Sequence, residues 1–335
     1  MRTATVTGVR TTDEDRTVRR HGTVPFVSSP APVVPGSTPS PPTGLWSNPW
    51  VLGARPRTLP TAIVSVVVGT AVAAVHHQII VWRFVAALVV GLALQIGVNY
   101  ANDYSDGIKG TDEARVGPAR LVGGGLASAS AVKRAAFVAF GVAAVVGLGL
   151  ALVTTLWLVA VGLSAIVAAW TYTGGPRPYG YAGFGELFVF VYFGVVATVG
   201  SAFVQENRIT ALAVVACIPV GLLATALIVV NNLRDIPGDT VAGKRTMAVK
   251  LGDQRTRWLY KGCVGLAFAV VPAVATVSHR WFALIALAAL LTVRTPMRTV
   301  HSGAQGRQLI AVLGGTAQIQ LMFGVLLSLG LLIHL

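Results

Sequence analysis

The sequence predicts an all-α integral membrane protein, a bundle of about nine transmembrane helices around a central cavity that opens to the cytoplasmic side. First, 54% of the 335 residues are hydrophobic and only 11% are charged, with a mean hydropathy of +0.71, whereas a soluble domain carries about 25% charged residues. Second, apolar runs of membrane-spanning length follow one another along most of the chain. Third, most of the acidic residues outside the N-terminal segment gather after two of these runs.

Residues 1–45 differ in composition from the rest of the chain. They are rich in proline, serine and threonine, carry mixed charge and contain no apolar run of the kind found in a secretory signal. We therefore expect a disordered N-terminal tail without chemistry, followed by a transmembrane domain over residues 46–335. Both cysteines, Cys217 and Cys263, fall within apolar runs of that domain and are expected to be small core residues.

Nine apolar runs predict the nine spans. Each is close to the roughly 20 residues that an α-helix needs to cross a bilayer, and the eighth is the shortest. The predicted spans are 59–76, 84–102, 134–152, 154–172, 185–204, 209–232, 258–278, 280–294 and 308–334.

The distribution of cationic residues predicts the orientation. Of the 26 lysines and arginines, 18 fall in the connections on one side of these spans, three on the other and five in the tail. Because cytoplasmic loops carry the excess of positive charge, the N-terminus and the acidic motifs are placed in the cytoplasm, in a multi-pass protein of the cell membrane. The net charge of +14 therefore reflects loops at the cytoplasmic face of the lipid bilayer, and no nucleic-acid partner is expected.

Two polar motifs close the second and sixth spans. The first contains Asn99, Asp103 and Asp106, and the second contains Asn231 and Asp235. The number of positions from Asn99 to Asn231 equals the number from Asp103 to Asp235. Residues three or four positions apart share a helix face, so each motif forms a polar stripe. The recurrence after four helices indicates a parallel internal repeat around a central cavity. Since Pro237 disfavours continued helix, Asp239 is expected on a turn beyond the sixth helix.

Clustered acids beside a membrane repel one another unless a positive group joins them. A divalent, oxygen-preferring cation satisfies that requirement, and Mg²⁺ typically bridges one or two carboxylates to substrate phosphates. The motifs therefore favour a diphosphate substrate held through Mg²⁺. The alternative is two solvated helix ends that carry a few aspartates.

Several stretches, in this order and spacing, resemble the UbiA-type membrane prenyltransferase superfamily, and within it the branch that prenylates 1,4-dihydroxy-2-naphthoate in menaquinone synthesis. The resemblance covers about residues 46–335. The stretches are Arg55–Pro60, Asn102–Asp106 with 110–112, Gly117–Val122, Tyr172–Pro176 with 178–181, and Asn231–Asp235 with 243–246.

The resemblance implies a role for each candidate site residue. Asp103, Asp106, Asp235 and Asp239 would be catalytic and would hold Mg²⁺ ions that bridge to a polyprenyl diphosphate. Asn99, Asn102 and Asn231 would complete or orient that cluster, and Tyr172 would contact the substrate. The cations expected to neutralise the leaving diphosphate are Lys109, Arg115, Arg120, Arg234, Lys244 and Arg245.

The loop from Gly174 to Glu186 contains five glycines, which allow the backbone to approach a flat ring closely. The resemblance implies a cap over the aromatic-acceptor site. The alternative is a flexible loop with Glu186 paired to Arg177.

The resemblance implies transfer of a polyprenyl group to 1,4-dihydroxy-2-naphthoate, with loss of CO₂ and diphosphate, which yields demethylmenaquinol and, on oxidation, demethylmenaquinone. One alternative is a prenyltransferase of the same superfamily with another acceptor, such as 4-hydroxybenzoate. A membrane transporter is a further alternative, although its acids would be expected nearer the bilayer midplane.

Overall fold

The computed structural model describes residues 48–111 and 120–333, and within these ranges every regular element is a helix. Eight helices have the length and hydropathy to cross a membrane, and a ninth, of 15 residues, is shorter. The nine are α1 Leu59–Ala74, α2 Val81–Ile108, α3 Ala129–Val153, α4 Trp157–Thr171, α5 Gly185–Glu206, α6 Ala211–Val241, α7 Asp253–Ser278, α8 Trp281–His301 and α9 Gln308–Leu332. The first reaches membrane-spanning length together with the short helices Pro49–Gly53 and Pro56–Thr58 that precede α1. The expected all-α membrane bundle is confirmed, while residues 1–47 lie outside the described part of the chain.

Three helices, α2, α6 and α8, extend well beyond the predicted spans, and α6 continues to Val241 instead of ending near residue 232. α2 continues to Ile108, so the whole first motif is helical, and α8 runs to His301 instead of ending near residue 294. The first nine residues of α8 form a 3₁₀-helix, which rises about 2.0 Å per residue instead of 1.5 Å. The apolar part of α8 is therefore longer than its residue count suggests.

Side-chain caps define several helix starts. Ser128 and Thr210 accept hydrogen bonds from the backbone N–H groups of Ala131 and Ala213 at the beginnings of α3 and α6. Such caps satisfy amide groups that have no partner within the helix. Both helices thus begin at residues that the local sequence specifies.

Helix α6 is the centre of the bundle. In its membrane-length window 72% of the residues are buried, against 11% in α2, and it packs against α5, α7, α9 and α1. At the crossing of α5 and α6, a Cβ atom on Gly194 would lie 2.6 Å from the Cα atom of Gly221, so the two backbones touch there. Cys217 and Cys263 are free thiols in this core, as expected.

The fold brings four segments together at one end of the bundle. They are the C-terminal ends of α2 and α6, the connection between α4 and α5, and the segment between α6 and α7, which includes the short helix Met247–Leu251. The Arg245 N–H donates to the Tyr181 carbonyl at 2.9 Å, and the Lys109 ammonium donates to the Thr173 carbonyl at 2.7 Å. The two polar motifs consequently face a common space under these connections.

Candidate active site

Both aspartate motifs lie inside long helices, because α2 ends at Ile108 and α6 at Val241. The expectation that Pro237 ends α6 and leaves Asp239 on a turn was wrong. Hydrogen bonding resumes directly after the proline: the Thr240 hydroxyl donates to the Ile236 carbonyl and the Ala242 N–H to the Gly238 carbonyl. One missing amide donor does not end a helix that is buried along most of its length.

Asp106 joins the two halves of the site. Its Oδ1 atom accepts from the Lys244 ammonium at 3.0 Å and from the Tyr181 hydroxyl at 2.5 Å. The Tyr181 ring lies between two ammonium groups, with Lys244 Nζ 4.7 Å and Lys109 Nζ 4.9 Å from its centroid. Although the Lys109 side chain is exposed, partial desolvation lowers its pKa, and the nearby Asp106 carboxylate opposes that shift. The first motif is thus tied to both neighbouring connections through one carboxylate.

Asp235 forms the second ion pair. The Arg234 guanidinium donates to both carboxylate oxygens at 2.7 Å and to Asn231 Oδ1 at 3.0 Å. Asp235 and Arg234 are both buried. The second motif therefore places a guanidinium and a carboxylate side by side at the mouth of the cavity.

The other two aspartates bind neighbouring backbone or hydroxyl groups. Asp103 is fully buried and accepts from the N–H groups of Leu121 and Val122, each at 2.9 Å. Asp239 accepts from the Thr246 hydroxyl at 3.4 Å. Asp103 therefore fixes the segment that leads into α3.

The three predicted asparagines have different partners. Asn99 donates to the Ala54 carbonyl at 2.8 Å and to the Thr58 hydroxyl at 3.1 Å. Asn102 accepts from the Thr173 hydroxyl at 2.9 Å, and Asn231 accepts from Arg234. Asn99 thus orients the segment before α1, and only Asn231 contacts the ion pair directly. Asn102 binds the start of the connection that contains the loop from Gly174 to Glu186, which we name the capping loop.

Two adjacent cavities meet at these motifs. The larger, of about 710 Å³, has largely apolar walls supplied by α1 to α6, and Asn99 and Asp103 belong to its polar end. The smaller, of about 500 Å³, is the more polar of the two, and Asp106, Asp235, Asp239 and Lys244 belong to its walls. We name them the apolar chamber and the polar chamber. The residues common to both walls are Arg55, Asn102, Arg120, Tyr172, Asn231 and Arg234.

The predicted cations divide into two groups. Arg120, Arg234 and Lys244 line the polar chamber. Lys109 and Arg245 are exposed, and neither belongs to the walls of the two chambers. Arg115 lies outside the described residues. The chamber thus holds three of the six candidates, and Lys109 acts on it indirectly through Tyr181 and Thr173.

Tyr172 stands where the two chambers meet. A Cβ atom on Gly180 would lie 2.8 Å from its ring, and one on Gly185 would lie 3.1 Å from it, so only glycine leaves room for this ring. Burial raises the pKa of Tyr172 well above its ordinary value, and the nearby Glu186 raises it further. Its hydroxyl therefore stays protonated at physiological pH. The glycines of the capping loop serve close approach to this ring.

Glu186 is buried and accepts from the Asn232 amide at 2.9 Å. The alternative in which it pairs with Arg177 is thus wrong. Arg177 is exposed, while Glu186 begins α5 and is turned into the bundle against α6. The Asn232 side chain lines the polar chamber beside it.

Arg55 is a site residue that sequence reasoning did not single out. Its backbone is left-handed, with φ 53° and ψ 70°, a strained conformation for a residue with a side chain. Its Nε and Nη2 atoms are buried and have no hydrogen-bond partner among the described residues. Since the side chain lines both chambers, it presents unsatisfied donors to an anionic ligand. An arginine directly before Pro56, two positions from Arg57 and at the entry to a span, was the available signal.

The donors of the polar chamber suit a hard cation. Carboxylate and amide oxygens come from both helix ends, and cations for phosphate oxygens stand beside them. The described residues contain no group of three or more His, Cys, Asp or Glu side chains close enough to bind one ion. A Mg²⁺ ion here would therefore take one or two carboxylates and complete its shell with water and phosphate oxygens, as Mg²⁺ commonly does.

Comparison with known proteins identifies relatives along most of the chain. The UbiA prenyltransferase family matches residues 62–303. The 1,4-dihydroxy-2-naphthoate octaprenyltransferase of Mycobacterium tuberculosis is 49% identical over 82% of this chain and 94% of its own length. The enzyme of the same name from Escherichia coli is 36% identical over 83% of this chain and 95% of its own.

Solved structures share the fold at low sequence identity. A UbiA homolog from Aeropyrum pernix, solved in the apo form, superposes with a TM-score of 0.64 at 14% identity, covering 80% of this chain and 97% of its own. A UbiA homolog from Archaeoglobus fulgidus, bound to DMAPP and Mg²⁺, gives 0.59 at 13% identity, covering 84% of this chain and 99% of its own.

Proposed function

Because the chain belongs to the UbiA prenyltransferase family, we propose that it transfers a polyprenyl group from polyprenyl diphosphate to 1,4-dihydroxy-2-naphthoate. The products are diphosphate, CO₂ and demethylmenaquinol, which oxidises to demethylmenaquinone. The observation that carries the proposal is the junction of a long apolar chamber with a polar, cation-lined one. That shape suits an amphiphilic substrate with an isoprenoid chain and a diphosphate head. The names of the relatives, which are octaprenyltransferases, also support a substrate of this class.

The diphosphate belongs in the polar chamber. Lys244, Arg234 and Arg120 supply positive charge there, and charge-assisted hydrogen bonds to phosphate are among the stronger ones in proteins. In the absence of a ligand, Lys244 and Arg234 pair with Asp106 and Asp235. A diphosphate would take over part of these cations and leave the carboxylates available for a metal ion.

We assign Mg²⁺ ions, each held by one or two carboxylates, to the positions of Asp106, Asp235 and Asp239, which line the polar chamber, with Asp103 at the adjoining end of the apolar one. Bound there, Mg²⁺ would supply charge that stabilises the leaving diphosphate. The support is the oxygen-rich donor set and a structural neighbour solved with DMAPP and Mg²⁺.

The acceptor belongs at the junction of the chambers, beside Tyr172 and Arg55. The acceptor carboxylate is an anion, and the two unpartnered guanidinium nitrogens of Arg55 suit it. The Tyr172 ring offers a flat surface that the capping loop holds in place. This position puts the aromatic ring next to the start of the isoprenoid chain.

Chemistry then follows from the charges. The C–O bond of the allylic diphosphate breaks, diphosphate leaves with the electron pair, and Lys244, Arg234 and Arg120 stabilise its charge. The ring carbon that bears the carboxylate attacks the allylic cation once a phenol has lost its proton. The bond to the carboxylate then breaks, its electrons return to the ring, and CO₂ leaves. Apolar walls keep water from capturing the cation.

The polar chamber is assigned to the cytoplasmic side of the cell membrane. The reason is the excess of lysine and arginine in the connections at this end of the helices. The lipid bilayer is a further partner, because the isoprenoid donor is itself a membrane lipid and reaches the enzyme from the bilayer. No nucleic-acid partner is assigned.

The proposal is tested by incubating purified protein with Mg²⁺ and radiolabelled polyprenyl diphosphate, separately with 1,4-dihydroxy-2-naphthoate and with 4-hydroxybenzoate. We expect a prenylated product with the naphthoate, and none when a chelator removes Mg²⁺. Product with 4-hydroxybenzoate alone would identify the other acceptor. Absence of transfer to any acceptor, with ion uptake into proteoliposomes, would identify a transporter instead.

A further inference from the structure

A group of three polar side chains lies in the wall of the apolar chamber, about one to two helix turns from the aspartates. It consists of Thr58, just before α1, with Gln95 and Asn99 on α2. All three line the chamber, and the two amides are 6% and 3% exposed. Polar side chains within a membrane-spanning segment are rare and commonly functional. We name this group the Thr58 triad.

The hydrogen bonds of the triad fix the direction of every group in it. The Thr58 hydroxyl donates its only proton to the Arg55 carbonyl at 3.0 Å. It can therefore only accept from Gln95 Nε2 at 3.0 Å and from Asn99 Nδ2 at 3.1 Å. Asn99 Nδ2 also donates to the Ala54 carbonyl at 2.8 Å, and a carbonyl cannot act as donor. The Ala54 carbonyl therefore orients the Asn99 amide, and the donation of the Thr58 proton to Arg55 orients the Gln95 amide. Both amide nitrogens point to Thr58, and both amide oxygens point away from it.

Those two oxygens remain as acceptors. No donor within residues 48–111 and 120–333 reaches Gln95 Oε1 or Asn99 Oδ1, and both side chains line the chamber. The two residues are four positions apart on α2 and therefore share one face. An isoprenoid chain has no hydrogen-bond donor and cannot use them. A ligand with hydroxyl groups can.

We propose that the Thr58 triad binds a ring hydroxyl of the aromatic acceptor, which donates a hydrogen bond to Gln95 Oε1 or Asn99 Oδ1. This rests on the proposed function, because it takes the acceptor to be a hydroxylated aromatic ring. The triad distinguishes acceptors with a ring hydroxyl from those without one. The Arg55 carbonyl accepts from Thr58, and the Arg55 guanidinium faces the carboxylate of the acceptor. Gln95 is the specificity residue, since Asn99 also belongs to the aspartate motif.

The first test uses unaltered protein. Equilibrium binding of 1,4-dihydroxy-2-naphthoate is compared with that of 1-hydroxy-2-naphthoate and 4-hydroxy-2-naphthoate, each lacking one hydroxyl. We expect weaker binding of at least one analogue by roughly tenfold, since a hydroxyl lost from a buried site leaves its acceptor unpaired. Equal binding of all three compounds would overturn the proposal without any variant.

The second test uses Gln95→Leu, which removes the amide at similar volume. We expect the preference for the dihydroxy compound to shrink to within about threefold, and the KM for the acceptor to rise roughly tenfold, while the KM for polyprenyl diphosphate stays unchanged. Thr58→Val should act in the same direction because it removes the orienting hydroxyl. Thr58→Ser, which keeps that hydroxyl, should retain the preference for the dihydroxy compound.

Gln320→Leu is the matched control. Gln320 is another fully buried amide bonded to a threonine, Thr61, but it lines neither chamber. We expect this variant to keep the full hydroxyl preference even where its thermal stability falls. An unchanged preference in both Gln95→Leu and Thr58→Val, or a parallel rise in the KM for the diphosphate, would overturn the proposal.

The two proposals fail in different ways. If the unaltered protein prenylates 4-hydroxybenzoate and not the naphthoate, the proposed acceptor is wrong, and the triad is then tested with benzoate lacking its hydroxyl. If the naphthoate is prenylated but Gln95→Leu and Thr58→Val leave the hydroxyl preference intact, the proposed function stands and the triad is wrong.

Discussion

Lys244 Nζ lies 3.0 Å from Asp106 Oδ1, and this ion pair joins residues 138 positions apart. Lys244 follows α6 and Asp106 lies in the last turn of α2, so the pair closes the polar chamber between the two motif-bearing helices. Both side chains are more than nine-tenths buried. A pair in this position holds the two halves of the site together until a diphosphate competes for the lysine.

Lys244→Met should destabilise the protein by about 3–5 kcal/mol, because Asp106 then remains buried without its cation. The double variant Lys244→Met with Asp106→Asn should recover most of that loss and remain inactive, since both groups act on the diphosphate and its metal ion. Thermal unfolding and prenyl transfer in parallel measure this. Lys250→Met is the control, because Lys250 binds the Ala182 carbonyl and lines neither chamber. Recovery of activity in the double variant would contradict the assignment.

Asp235→Asn should lower turnover by roughly 100-fold or more while the protein remains folded, since it removes one negative oxygen from the proposed metal site. Residual activity should require more Mg²⁺ than the unaltered protein does. Glu206→Gln is the control for loss of an acid. Glu206 is the last residue of α5, whose first residues adjoin the site, so this variant should keep its activity. A Mg²⁺ dependence identical to that of the unaltered protein would exclude Asp235 as a ligand.

Asp103→Asn should affect stability as well as activity. The carboxylate accepts from two backbone N–H groups, at Leu121 and Val122. An asparagine offers one acceptor oxygen and turns an N–H₂ group toward the other donor, at a cost of about 1–3 kcal/mol. Hydrogen exchange of the Leu121 and Val122 amides should accelerate in this variant. Slow exchange together with lost activity would show that Asp103 acts on the metal alone.

Much of the fold followed from the sequence, and the site followed only in part. Apolar runs indicated the helices, and the matched motifs indicated which helix ends meet. The continuation of α6 through Pro237 was missed. Local propensity disfavours helical conformation at a proline, but the packing of a long buried helix keeps that turn of the helix in place. The pairing of Glu186 with Asn232 could not be predicted, since it depends on how α5 packs against α6.

The role of Arg55 likewise could not be predicted from the sequence. The sequence contains an arginine before a proline, but its left-handed backbone and its buried, unpartnered nitrogens arise from tertiary contacts. Likewise, nothing in the spacing separates Lys244, which lines the polar chamber, from Arg245, which is exposed one residue later.

Gly180→Ala should lower turnover roughly tenfold or more and also lower thermal stability, because the added Cβ would lie 2.6 Å from the Tyr172 carbonyl oxygen and 2.8 Å from the Tyr172 ring and displace both. Acceptor KM should rise more than donor KM. Gly149→Ala is the matched control, since its added Cβ meets no atom within 4 Å. A normal acceptor KM in Gly180→Ala would show that Tyr172 does not contact the acceptor.

Deletion of residues 2–44 should leave membrane insertion and prenyl transfer intact, because this proline-rich segment has too little apolar mass to pack. The truncated and full-length proteins are compared for extraction from membranes and for the rate per mole of folded protein. A lower rate in well-folded truncated protein would assign the tail a role in catalysis.

The most direct measurement is a competition assay with acceptors labelled in the carboxylate carbon. Purified protein receives Mg²⁺, polyprenyl diphosphate and equal concentrations of 1,4-dihydroxy-2-naphthoate and 4-hydroxybenzoate. We predict one labelled CO₂ released for each prenylated naphthoquinol formed, with little prenylated benzoate. Preferential prenylation of the benzoate with its labelled carboxylate retained would contradict the proposed function and leave only the family assignment.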